Sequence, residues 1–105
     1  MKEITVEQLK SLKDGNEDFQ LIDVREEHEY EISNLGGLLI PLATVIDQKD
    51  KISKEKKVII YCRSGARSAA AVTQLEKLFG FDNLYNLKGG IIAYADQIDP
   101  TLVKY

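Results

Sequence analysis

Val58-Ile59-Ile60-Tyr61-Cys62-Arg63-Ser64-Gly65-Ala66-Arg67-Ser68 opens as an apolar, β-branched run and ends at the entry to a helix-like stretch that continues to Phe79. The only cysteine of the chain stands at the junction, with a glycine and two cations within five residues of it. A chain that leaves a strand, turns tightly and enters a helix directs unpaired backbone N–H groups into the turn, and the positive end of the helix dipole points the same way. Such a turn holds anions and favours a thiolate over a thiol. A core cysteine would need neither Gly65 nor the flanking cations, so Cys62 reads as a nucleophile inside an anion site rather than as a small buried hydrophobe.

Outward from this segment, short apolar runs alternate with helical patterns. Thr5 and Gln8 form a capping box before the apolar stripe Val6, Leu9, Leu12, and Gly15-Asn16 ends that helix. Gln20 to Val24 reads as a buried strand, and Arg25 to Ile32 as a charged helix with Tyr30 and Ile32 facing inward. Leu38-Leu39-Ile40 is a strand stopped by Pro41, and Leu42, Val45 and Ile46 suit a short amphipathic helix. Lys49 to Lys57 reads as a solvated charged stretch. Ser68 starts the strongest helix, with Ala69, Ala70, Val72, Leu75 and Phe79 toward the core and Gly80 as its stop. Leu84 to Leu87 is the last strand, and Gly89-Gly90 introduces a helix carrying Ile91, Ile92 and Tyr94. This alternation predicts an α/β domain over residues 1–105, with a mostly parallel sheet flanked by helices on both faces. Function in such sheets gathers beyond the carboxyl ends of the strands, where both Asp23-Val24-Arg25 and Cys62 fall.

Bulk properties narrow the function classes. A net charge of -3 gives no overall reason to bind nucleic acid or an anionic membrane. A single cysteine forms no internal disulfide, and with a single histidine the Cys/His cluster of a structural zinc site is absent, so neither metal nor cofactor is expected. The N-terminus lacks the apolar core of a signal peptide and no run approaches membrane-spanning length, which makes a cytoplasmic protein the expectation. His28, among Glu26, Glu27 and Glu29, reads as a solvated surface residue, and Asp23 with Arg25 as a structural pair beneath the site rather than an acid/base couple. Gly89-Gly90 lacks the third glycine and the Lys-Ser/Thr of a phosphate loop and reads as a backbone turn.

Four separated segments together resemble a single-domain rhodanese. They are Leu21-Ile22-Asp23-Val24-Arg25 with Glu29-Tyr30, Ile40-Pro41-Leu42, Tyr61 to Ser68, and Leu87-Lys88-Gly89-Gly90. Two positions depart from the family pattern: Ser33-Asn34-Leu35-Gly36-Gly37-Leu38 replaces a Gly-His-Ile-Pro-Gly-Ala segment, and Tyr94 takes the place of the usual tryptophan. The resemblance implies sulfur transfer in two half-reactions. Cys62 takes a sulfur from a small anionic donor such as thiosulfate, holds it as a persulfide, and yields it to cyanide or a thiol, a protein thiol included. The segment Arg63, Ser64, Gly65, Ala66 and Arg67 then binds the donor, with Arg63 at the pocket mouth. Arg67 either supports the pocket or pairs with Asp23, Glu26 or Glu29, and Ser68 is a helix-start residue. Two rivals stand beside this reading. A cysteine phosphatase or arsenate reductase places its arginine after five intervening residues, whereas four separate Cys62 from Arg67. A non-enzymatic persulfide carrier or a regulatory module would share the fold and, for the carrier, the chemistry.

Overall fold

The computed structural model describes residues 1–105. Five strands, β1 (Lys2–Ile4), β2 (Phe19–Asp23), β3 (Leu38–Leu39), β4 (Lys57–Tyr61) and β5 (Leu84–Leu87), form one sheet in the order β1-β5-β4-β2-β3. Every pairing is parallel. The helices are α1 (Val6–Asp14), α2 (Glu27–Ile32), α3 (Ala66–Phe79) and α4 (Gly90–Gln97), with two 3-10 turns at Leu42–Thr44 and Lys49–Lys51. No helix is long and apolar enough to cross a membrane.

β4 is central, and its alternation divides the interior in two. Val58, Ile60 and Cys62 face one core with Ala71, Val72 and Leu75 of α3, while Ile59 and Tyr61 face the other with Leu9 and Leu12 of α1 and Ile91 and Tyr94 of α4. A strand covered on both faces reads as an unbroken apolar run, which is how Val58 to Tyr61 reads. The expected parallel sheet with helices on both faces is therefore present. The capping box is also there: Gln8 N–H donates to Thr5 Oγ1 at 3.1 Å, and Thr5 N–H to Gln8 Oε1 at 2.8 Å.

Several local expectations are corrected. β1 has no counterpart in the sequence pattern, because three residues of mixed polarity carry no periodic signal; it gains strand form by pairing with β5. α2 starts at Glu27, so Arg25 precedes it, and Ile32 is 47% exposed while Glu29 turns inward. The predicted amphipathic helix is one 3-10 turn, with Val45 buried but Ile46 exposed. The charged stretch 49–57 nonetheless buries Ile52. α3 begins two residues before Ser68, and its inward stripe is Ser68, Ala71, Val72 and Leu75, leaving Ala70 in solvent. Helical spacing accounts for this: once Val72 and Leu75 face the sheet, Ala71 joins them and Ala70 turns away.

Candidate active site

Cys62 follows the last residue of β4 and is 1% exposed. The chain turns at Gly65, which has a φ of 110° and caps α3 as its N-terminal residue. That dihedral is one an L side chain rarely adopts, so the tight entry into the helix requires glycine here. As the chain turns, the Gly65 N–H donates to Cys62 Sγ at 3.1 Å and the Ser68 N–H does so at 3.4 Å. The amides of Arg63, Ser64, Ala66 and Arg67 donate to no acceptor in the protein. Free helix-end donors beside a sulfur that already accepts two bonds make a cradle for negative charge.

The carbonyl side of the same loop is anchored from below. Ile91 N–H donates to Cys62 O at 3.0 Å and Ile92 N–H to Arg63 O at 3.2 Å, so the first free amides of α4 hold the loop. A Cβ on Gly90 would stand 2.4 Å from Arg63 O and 2.5 Å from Cys62 O, which only glycine avoids. The double glycine is thus a backbone turn that lets α4 approach the Cys62 loop.

The neighbouring strand end carries a side-chain network. Asp23 at the end of β2 is the register partner of Tyr61. Its carboxylate accepts from Arg25 Nε at 3.0 Å and Nη2 at 2.8 Å, and both residues are fully buried. Arg25 Nη2 also donates to Ser33 O at 2.7 Å, tying the end of α2 to the strand. Arg67 Nη1 and Nη2 donate to Glu29 Oε1 and Oε2 at 2.7 and 2.9 Å, a bidentate pair joining the first turn of α3 to α2. Hydrogen bonding from Arg67, helped by the Glu26 backbone, holds the Glu29 carboxyl at a pKa of about 2. Of the partners open to Arg67, the structure selects Glu29. Its guanidinium is committed there, whereas Arg63 is exposed and makes no ion pair. Asp23 and Arg25 meet as the structural pair the sequence implied.

Where the chain departs from the family pattern, other groups supply the order. Tyr61 Oη accepts from Leu35 N–H at 3.0 Å and donates to Gly36 O at 3.1 Å, while Asn34 Oδ1 accepts from Gly36 N–H at 2.8 Å. Burial, reinforced by the nearby Asp23 charge, pushes the Tyr61 phenol well above its ordinary range and keeps it a neutral bridge. Tyr94 fills a core position on the α1–α4 side, with Lys13 Nζ 5.6 Å from its ring centre. His28 is on the surface.

Two residues beside the sulfur carry roles that the sequence does not disclose: Ser68, which reads only as a helix-start residue, and Asn86. Ser68 Oγ lies 3.3 Å from Cys62 Sγ, and Asn86 of β5, 4% exposed, accepts a hydrogen bond from that hydroxyl. An asparagine within an apolar strand is the signal that was available, because a buried amide needs partners.

The structure defines an α/β protein with a buried cysteine cradled by amides beyond the carboxyl edge of a parallel sheet. Comparison with known proteins gives the family. The model of the rhodanese-like domain matches residues 5–97, and the chain belongs to that family. It is 38% identical over 99 residues to protein YqhL of Bacillus subtilis, covering 93% of this chain and 75% of YqhL. It is 34% identical over 105 residues to the probable adenylyltransferase/sulfurtransferase MoeZ of Mycobacterium tuberculosis; the match covers 97% of this chain but only 26% of MoeZ. The chain thus spans about a quarter of that relative. A rhodanese-like domain protein from Staphylococcus aureus superimposes with a TM-score of 0.83 at 33% identity, over 93% of this chain and 95% of that one.

Proposed function

We propose that residues 1–105 act as one sulfurtransferase domain that moves a sulfane sulfur from thiosulfate, or a similar small anionic donor, to a thiophilic acceptor through a persulfide on Cys62. The observation that supports this reading best is the donor set around Sγ: two amides at 3.1 and 3.4 Å, and four further amides of the same loop without acceptors. In the first half-reaction the Cys62 thiolate attacks the outer sulfur of thiosulfate. The S–S bond of the donor breaks, its electron pair leaves with sulfite, and Sγ carries the sulfane sulfur. In the second, cyanide or a thiolate attacks that outer sulfur and the electron pair of the broken bond returns to Sγ. The unpaired amides of Arg63, Ser64, Ala66 and Arg67 receive the outer sulfur and its charge, and Arg63 meets the anionic donor at the mouth. No general base is required when the attacking group is already a thiolate. The name of MoeZ pairs an adenylyltransferase with a sulfurtransferase. That name supports sulfur transfer, and a persulfide carrier would use the same intermediate as an enzyme. Phosphate chemistry is disfavoured because the loop is short and its arginine is spent on Glu29.

Intact mass spectrometry after incubation with thiosulfate tests the reading. One added sulfur, removable by cyanide, is expected. An unchanged mass with thiosulfate and with polysulfide would overturn it.

A further inference from the structure

Ser68 Oγ has one proton and three acceptors within reach: Cys62 Sγ at 3.3 Å, Gly65 O at 3.2 Å and Asn86 Oδ1. Its neighbours decide where that proton goes. Gly65 O already accepts from Ala69 N–H at 3.1 Å and from Asn86 Nδ2 at 3.2 Å, which fills its two lone pairs. Because a carbonyl only accepts, the contact to Gly65 also orients the Asn86 amide, so that Oδ1 faces Ser68. The hydroxyl therefore has two real destinations, Oδ1 and the sulfur. While Sγ is uncharged, Oδ1 is the better acceptor. Once Sγ carries negative charge, a charge-assisted bond to it is roughly twice as strong as a neutral one.

We propose that Ser68 is a catalytic residue of the second half-reaction, its hydroxyl swinging from Asn86 to Cys62 Sγ as the sulfur becomes a leaving thiolate. Asn86 is the positioning residue that holds the proton in reserve. The inference rests on the sulfur-transfer reading and adds an asymmetry to it. In the persulfide, charge resides on the outer sulfur and Sγ is neutral. When an acceptor thiolate attacks, the bond between the two sulfurs breaks, the new S–S bond forms on the acceptor, and the electron pair returns to Sγ. A donor that reaches Sγ at that moment lowers the barrier to departure. In the first half-reaction charge leaves Sγ, so the same hydroxyl gives no such help.

The test measures Cys62 as a leaving group in two ways. Persulfide-loaded protein is mixed with cyanide under single-turnover conditions, and protein carrying a methylthio group on Cys62 is cleaved with dithiothreitol. Ser68→Ala should slow both about tenfold, the size expected when a developing charge loses one hydrogen bond. Ser68→Thr, which keeps the hydroxyl, should restore the rates. The rate at which thiosulfate loads the pre-formed thiolate should change far less. If Ser68→Ala folds poorly because Oδ1 is orphaned, Ser68→Ala with Asn86→Leu removes both partners and should show the same slowing. Discharge and cleavage at wild-type rates in folded variants would overturn the proposal. Failure of the wild type to load sulfur would instead overturn the sulfur-transfer reading, and the dithiothreitol cleavage would still decide the role of Ser68.

Discussion

The loops that leave β2 and β4 start side by side, from the paired residues Asp23 and Tyr61, yet they handle charge in opposite ways. After β2, charge is organised by side chains. Arg25 is wholly buried, its guanidinium donates to Asp23, Ser33 O and Glu29 O, and the Asp23–Arg25 pair is closed off from solvent. After β4, charge is organised by backbone. Gly65 and Ser68 amides turn to one sulfur, four more amides are unspent, and the adjacent Arg63 is unpaired. A saturated network fixes shape, whereas an unsaturated one waits for a reactant. The difference separates structure from chemistry at two strand ends that, by position alone, look equally functional.

The comparison breaks most sharply at Cys62. Cys62→Ser should take up no sulfur from thiosulfate by intact mass while unfolding like the wild type, since the change is small and the cradle survives. Sulfur bound to the serine variant would place the reactive centre elsewhere. Next in size is the β2 loop. Asp23→Ala leaves Arg25 buried without its carboxylate and should cost about 3–5 kcal/mol of stability in urea denaturation. A loss below about 1 kcal/mol would show that the buried pair does not organise this rim.

The link between the two loops should give a smaller effect. Arg67→Ala should cost about 1–2 kcal/mol, less than a fully buried pair, because the Arg67 side chain is 35% exposed. The same variant should change acid stability. Glu29 titrates at about 2 in the folded protein against an ordinary 4.5, so its contribution is complete above the higher value and is lost as pH falls toward the lower. Without Arg67 that part of the pH dependence should flatten in acid-unfolding curves. Smallest in stability is Arg63→Ala, with unfolding free energy unchanged to within about 0.5 kcal/mol. It should still raise the thiosulfate KM several-fold with little change in kcat. A destabilised Arg63 variant with normal kinetics would reverse the division of labour between the two arginines.

What was legible in the sequence follows the same divide. The strand, the turn and the helix around Cys62 are contiguous, so local rules of periodicity and turn chemistry reached them. β1 and the inward turn of Glu29 depend on partners far along the chain, β5 and Arg67, and local patterns carry neither. Apolar character alone puts Ile32 and Ala70 inward, but tertiary packing sets the helix phases otherwise. Ser68 reads as a helix-start residue, but Gly65 caps α3 and Ser68 is third in its first turn; that its hydroxyl meets the sulfur depends on Asn86, eighteen residues later.

The grip of α4 on the nucleophile loop has a dynamic consequence. Because Ile91 and Ile92 amides end on Cys62 O and Arg63 O, their exchange with deuterium can occur only when that grip opens. The opening free energy of those two amides is therefore a direct gauge of how often the cradle loses its shape. Conditions that loosen α4 should distort the amide cradle before the sheet melts, making α4 the element that sets the temperature at which the cradle loses its shape.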